Sequence, residues 1–222
     1  LVDYQKNLNT KVQTTVDTIN SLGDKINELN LKIAGVESSV ESANDLRDKR
    51  DYYLDELSKY VKISYAEDEN HYVSVKAEGV PFVTEGGVFH METAELDGDK
   101  GSTYLSCIWP HVNNQEVFNL EENISTANGN DIGTLKGYLL ARGDFVADYT
   151  DIPEVKDYDV TTEQGLKDYT AAVNTYNSTV ECCTITKTQA MLDKLVNGII
   201  TSINDILSPT TNEVPAGVTT YT

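Results

Sequence analysis

Arginine is nearly missing from this 222-residue chain: Arg47, Arg50 and Arg142 are the only three. Together with lysine it supplies 17 basic residues against 36 acidic ones, a formal net charge of −19. That balance argues against nucleic-acid partners, because phosphate binding draws its affinity from clustered Lys and Arg. It argues equally against docking on an anionic membrane surface. Cysteine is scarce and odd in number (Cys107, Cys182 and Cys183), so a two-disulfide scaffold is impossible and stability must come from packing. No apolar run approaches the ~20 residues of a membrane span. The chain opens Leu1-Val2-Asp3-Tyr4, with neither an initiator Met nor the basic n-region of a signal peptide. It is therefore expected to be an internal portion of a longer protein. Hydrophobic residues make up 39% of the chain, modest but enough for a packed core.

Catalytic and metal-binding signatures are missing too. There is no P-loop, no G-x-G-x-x-G, no H-E-x-x-H and no G-x-S-x-G. Cys107 and His111 lie four apart, but Trp109-Pro110 between them argues against a helix, and no second ligand pair has zinc-like spacing. Adjacent Cys182 and Cys183 have no neighbouring His and read as small packed residues. His71 and His90 fall in strand or turn patterns without recognisable partners. Asp97-Gly-Asp99-Lys-Gly101 resembles the opening of a calcium loop, yet the twelfth position is Ile108 where Glu is required. Neither an enzyme, nor a cofactor, nor a bound metal is expected.

What is present is periodicity. Leu8, Val12, Val16, Ile19, Leu22, Ile26, Leu29, Ile33, Val36 and Val40 follow at steps of three or four, the apolar seam of a bundle or coiled-coil helix. Residues 2–35 as one helix would run about 50 Å. Gly23 costs such a helix about 1 kcal/mol, too little to break it. A second helix is expected from Ser42, with Asp45 completing an S-x-x-D capping box and Leu46, Tyr53, Leu54, Leu57 and Val61 on one side. From Val61 the period becomes two. Six short strands are expected around 61–65, 72–76, 80–84, 88–93, 104–109 and 116–120, separated by polar turns. Helical pattern returns from an Asp131 cap through Arg142, stops at Gly143, and resumes from Thr162 to Ser208-Pro209 after an acidic connection. Leu192, Leu195, Val196, Ile199, Ile203, Ile206 and Leu207 form its strongest stripe.

The expected class is α+β: an antiparallel helical bundle with long N- and C-terminal helices and an inserted small antiparallel β domain. Residues 1–61 plus 131–222 would form a discontinuous helical core, with 62–130 projecting as the insertion. Charge follows the same division. Residues 1–61 hold 11 acids and 8 bases (net −3), 62–130 hold 12 and 3 (net −9), and 131–222 hold 13 and 6 (net −7).

The densest stretch is Ala43-Asn-Asp45-Leu-Arg47-Asp48-Lys-Arg50-Asp51, followed by Leu54-Asp-Glu-Leu-Ser58. A solvated helix face with weak ion pairs would suffice to explain it. The alternative is that both arginines make bidentate contacts to carboxylates, within the hairpin or on a neighbouring subunit. With Ile26-Asn27-Glu-Leu29-Asn30 before it, this stretch closely resembles the bacterial flagellar hook-associated protein family FlgK. Val61-Lys-Ile63, Gly133-Thr-Leu135-Lys-Gly137-Tyr-Leu139 through Asp144, Ala172-Val173-Asn174 and the 192–209 stripe follow in the order that family shows. The acidic β portion is the least matched.

The resemblance implies a structural subunit of the flagellum at the hook–filament junction, extracellular and exported by the flagellar type III apparatus. Its implied partners are the hook protein and the adjacent hook-associated protein, with self-assembly in the full-length protein and an export chaperone. Its implied motif residues are Asn27, Asn30, Asn44, Asp45, Asp48, Arg50 and Asp51, in a structural role. The family's terminal assembly helices are missing from both ends, so this fragment is expected to be monomeric in dilute solution. Around Asn174–Cys183 the chain also departs from the family pattern. The competing reading is a secreted adhesin or secretion-needle accessory displaying the acidic β domain on a helical stalk; a metal-dependent hydrolase ranks well behind both.

Overall fold

A computed structural model describes residues 1–38, 42–96, 103–120 and 132–207. Val40, the 97–101 turn, the Asp131 cap and the Ser208-Pro209 stop lie outside those residues. Helix α1 spans Val2–Glu37, two residues past Gly35. Its seam from Leu8 to Ile33 is buried, as the spacing requires. Gly23 has a use beyond being tolerated: a Cβ there would sit 2.5 Å from Cζ of the buried Phe82. The missing side chain is the room in which that ring packs on the helix backbone.

Helix α2 spans Asn44–Ser58 and buries Arg50, Leu54 and Leu57. The expected Ser42–Asp45 capping box does not form. Glu37, at the end of α1, takes the Ala43 N–H instead (3.2 Å), while the Ser42 hydroxyl donates to Asn44 Oδ1 (2.8 Å). Helix α3, Thr134–Arg142, begins after Gly133 at φ 106°. Its first N–H groups donate to the last carbonyls of the α2 end, Thr134 to Lys59 (3.0 Å) and Leu135 to Tyr60 (3.1 Å). Two helix termini thus satisfy each other's orphan groups. A Cβ on Gly133 would lie 2.7 Å from the Tyr60 carbonyl oxygen, so the junction requires glycine.

Between α2 and α3 the described residues form seven strands. β1 (Ile63–Glu67), β2 (Val73–Ala77), β3 (Val80–Thr84) and β4 (Gly87–Val88) make an antiparallel sheet in chain order. Positive φ at Glu78 and Gly79 turns β2 into β3, the backbone that a two-residue hairpin demands. β5 (Glu92–Glu95), β6 (Leu105–Trp109) and β7 (Gln115–Glu116) make a second antiparallel sheet. Strand β2 alternates strictly, with Val73, Val75 and Ala77 buried and Ser74 and Lys76 out.

The buried faces of both sheets join the α1 seam. One core contains Val16, Ile19 and Ile26 of α1, Leu57 of α2, Phe82 and Val83 of β3, Trp109 of β6, and Leu135 and Leu139 of α3. The β segment therefore lies along α1, where a projecting insertion was expected. Each small sheet has one apolar face, and the long seam supplies its cover.

The chain divides into two compact units, Leu1–Val146 and Ala147–Thr222. This boundary differs from the expected 1–61 plus 131–222 core with 62–130 inserted. In the second unit, α4 (Glu163–Tyr176) is capped by Thr162, whose hydroxyl accepts from Gly165 N (3.1 Å). A π-turn at Asn177–Glu181 then interrupts the helical stretch before α5 (Thr184–Leu207). The stripe from Leu192 to Leu207, which reads as a core stripe, is exposed. Amphipathic spacing identifies a face that needs cover; it does not supply the covering element. The class is α+β, with long helices and small antiparallel sheets, as expected.

Candidate functional site

The Asn-Asp-Leu-Arg stretch builds its site where the end of α1, one face of α2 and the β1–β2 turn meet. Arg47 grips Glu37 with two bonds, Nε to Oε1 (2.9 Å) and Nη2 to Oε2 (2.7 Å), and its Nη1 donates to Glu67 Oε1 (2.7 Å). Arg50, with only 2% of its surface exposed, donates from Nη1 to Asn30 Oδ1 (3.0 Å) and to the His71 carbonyl (2.7 Å). Its Nη2 reaches Glu67 at 3.2 Å. His71, at φ 62°, holds its ring 3.5 Å from both Glu37 and Glu67. Two of the chain's three arginines therefore fasten three elements, through carboxylates that lie outside the motif.

The surroundings set the charges. The Arg47 bonds hold the Glu37 carboxyl down at about 2, against burial, which acts the other way. Burial likewise opposes ionisation of Glu67, but Arg50 and Arg47 outweigh it and its pKa is lowered. The Arg47 guanidinium is shifted up by its bonds to Glu37. An open groove of about 440 Å³ beside the cluster is lined by Asp48, Arg50, Asp51, Tyr65 and Glu67, among others.

Among the residues the sequence singled out, Asn30 and Arg50 meet directly. Asn27 lies one turn back along α1 and accepts from the Tyr72 hydroxyl (2.7 Å). Asn44, Asp45, Asp48 and Asp51 are exposed on α2 and take no part in the arginine network. An Arg47–Asp51 pair, which the i, i+4 spacing allows, is replaced by Arg47–Glu37.

Asn30 also belongs to a ladder that sequence reasoning missed. Its amide caps both backbone groups of Val73, accepting from N (3.1 Å) and donating to O (2.9 Å). Asn20 does the same to Met91, at 2.9 Å each way. Asn9 accepts from Leu105 N (2.9 Å) and from Arg142 Nη1 (2.6 Å), repeating the Asn30–Arg50 arrangement. Positions 9, 20 and 30 lie about three helical turns apart along α1, and each amide meets a different β segment. The available signal was asparagine recurring at that interval beside the apolar seam. Arg142, fully buried, also donates to the Gly143 and Leu105 carbonyls (2.8 and 2.7 Å) and lies 5.1 Å from the Tyr104 ring centre.

Cys107 is buried in β6, and burial pushes its thiol up to about 12, out of nucleophilic range. His111 stacks on Phe89 at 4.3 Å between centres, and His90 pairs with Asp24 at 2.9 Å. No group of three or more His, Cys, Asp or Glu suited to a metal occurs among the described residues.

A long helix bearing an amide ladder, a doubly anchored arginine and two small sheets gives a framework to compare with known proteins. The sequence profile described as "Flagellar hook-associated protein FlgK helical domain" matches residues 1–211, nearly the whole chain. This chain belongs to that family. Flagellar hook-associated protein 1 of Bacillus subtilis (strain 168) is 43% identical over 67 residues, 29% of this chain and 13% of the relative. A solved structure, the flagellar hook junction protein FlgK from Burkholderia pseudomallei, is 26% identical with a TM-score of 0.42, covering 47% of this chain and 18% of the other. The chain thus spans less than a fifth of the length of either relative. In this chain, Arg47 and Arg50 of the strongly patterned segment tie α1, α2 and the first sheet together.

Proposed function

We propose that this chain is part of a structural subunit of the bacterial flagellum, acting at the hook–filament junction without catalysis. The observation that carries the reading is the family match over residues 1–211. The chemistry of the described residues agrees with a load-bearing part. All three arginines are committed to bonds within the chain, and the amide ladder locks strands to α1 at three points. The partners are the hook protein on one side and the next hook-associated protein on the other, reached after export through the flagellar type III apparatus. No helix among the described residues is long and apolar enough to cross a membrane.

In this reading Asn27, Asn30 and Arg50 keep α1, α2 and β2 in fixed relation, whereas exposed Asp45, Asp48 and Asp51 offer acidic contacts to neighbouring subunits and exposed Asn44 an amide. The test is complementation. The full-length gene is expressed in a strain lacking its own junction protein, and filament attachment is scored by electron microscopy. Attached filaments and restored swimming are the expected outcome. Normal export with filament subunits still shed into the medium overturns the proposal.

A further inference from the structure

Arg142 is the one arginine whose charge meets no hydrogen-bonded carboxylate among the described residues. Arg47 is bonded to Glu37 and Arg50 to Glu67, whereas Asp144 stands 3.7 Å from Arg142 Nη2 with 57% of its side chain exposed. The Arg142 side chain itself is fully buried. Its Nε donates to the Gly143 carbonyl, and its Nη1 to Asn9 and the Leu105 carbonyl. Nη2 is left without a hydrogen-bond partner among the described residues. A buried cation with an unmade bond is costly, and such groups are rare in folded proteins. Burial pushes the Arg142 pKa below its ordinary value, and Asp144 offsets this only in part.

A pocket of about 340 Å³ lies against this guanidinium, with room for far more than one water. Phe118, Leu120 and Leu139 give it an apolar wall, and Ser106 adds a hydroxyl. Cys107 also lines it, as a thiol that burial pushes up to about 12 and so keeps neutral. Its two acids, Glu116 and Asp144, are exposed. Every lining residue belongs to the unit Leu1–Val146, so the pocket is built within one compact unit.

We propose that Arg142 Nη2 seats the carboxylate of a short methylene chain, with that chain lying against Phe118, Leu120 and Leu139. A guanidinium N–H gives a carboxylate a short, charge-assisted hydrogen bond, stronger than a neutral one. Only one nitrogen is open, so the contact is single and the affinity modest. Glu116 and Asp144 limit the charge that can enter. Exposed acids are screened enough to admit a monoanion, but they oppose a dianion such as phosphate. Two sources carry the chemistry: a free short-chain acid, and a glutamate side chain of the protein outside these 222 residues. The inference does not depend on the junction reading.

The experiment is nitrogen NMR of the arginine Nε–Hε groups while butyrate is titrated into the 222-residue chain, with butyramide and inorganic phosphate as controls. Only three arginines contribute signals, and Arg142→Lys identifies the one in question. The expected result is a saturable shift of the Arg142 signal at millimolar butyrate, with Arg47 and Arg50 unmoved and neither control active. Asp144→Asn and Glu116→Gln should each tighten binding about threefold, the worth of one screened surface charge. Asp45→Asn, on α2, should leave it as it was. In the full-length protein, butyrate that still binds assigns the pocket to a free acid. An Arg142 signal already at its butyrate-bound position there, with butyrate excluded, assigns it to the protein's own glutamate. The inference is overturned by no saturable shift in the 222-residue chain, or by an equal response to butyramide. It is overturned too if Asp144→Asn weakens binding, or if full-length protein excludes butyrate with the Arg142 signal at its unbound position.

Discussion

Arg50 and Asp51 are adjacent in sequence and opposite in consequence. Arg50 is buried and bonded to Asn30, the His71 carbonyl and Glu67; Asp51 is exposed. Arg50→Ala strands buried acceptors and is expected to destabilise the chain by about 1–3 kcal/mol in urea unfolding, whereas Asp51→Ala should stay within about 0.5 kcal/mol. Gly23→Ala sets two effects against each other. Helix propensity gains about 1 kcal/mol, but the new methyl meets the buried Phe82 ring at 2.5 Å. Overpacking of this kind costs about 1–3 kcal/mol, so the net expectation is a lower Tm. Glu37 sets an acid limit. Its folded pKa of about 2 lies below its ordinary 4.5, so its contribution is complete above 4.5 and is lost as pH falls from 4.5 toward 2. Glu37→Gln should lower stability at pH 7 and flatten the stability curve in that window, as followed by thermal melts in buffers from pH 2 to 7. The roles of Glu37 and Glu67 were not legible beforehand, because an acidic residue ten or twenty positions away carries no pattern that assigns it to a particular arginine.

At the scale of elements, the helices were legible because burial imposes a 3.6-residue period on α1 and α2. The sheets were legible as alternation, with the pairing order left open. What spacing alone did not disclose is how strands attach to the helix. The amides of Asn20 and Asn30 stand in for a neighbouring strand, each pairing with the N–H and C=O of one residue. Asn20→Ala leaves both backbone groups of Met91 without these partners. A loss of about 1–3 kcal/mol is expected, with faster hydrogen exchange at the Met91 amide and little change at Val73. Equal acceleration at both amides would show that the ladder acts as a unit and not rung by rung. The α2–α3 junction makes a similar point: Gly133 was not singled out as a cap, yet its positive φ and the Tyr60 carbonyl against it leave no space for a side chain.

For the whole molecule, the two compact units differ in how much they bury. The unit Leu1–Val146 holds nearly the entire core, whereas the buried apolar residues described after it are Ala147, Val180, Cys183 and Ala190. Local stability tracks buried contacts. Hydrogen exchange is therefore expected to show residues 147–207 opening at lower free energy than α1, and proteolysis should leave a resistant product close to residues 1–146. The described acids of α2 and the connecting loops are largely at the surface. Sequence by itself determined the long apolar seam, the change of period at Val61, the impossibility of a two-disulfide scaffold and the family, because these rest on residue counts, local spacing and motifs read along the chain. Tertiary structure alone decided that the β segment lies against α1, that Arg47 and Arg50 fasten to Glu37 and Glu67, and that the α5 stripe stands open. Those outcomes depend on which surfaces meet in space. A periodic face states that it must be covered, and only the folded chain settles what covers it.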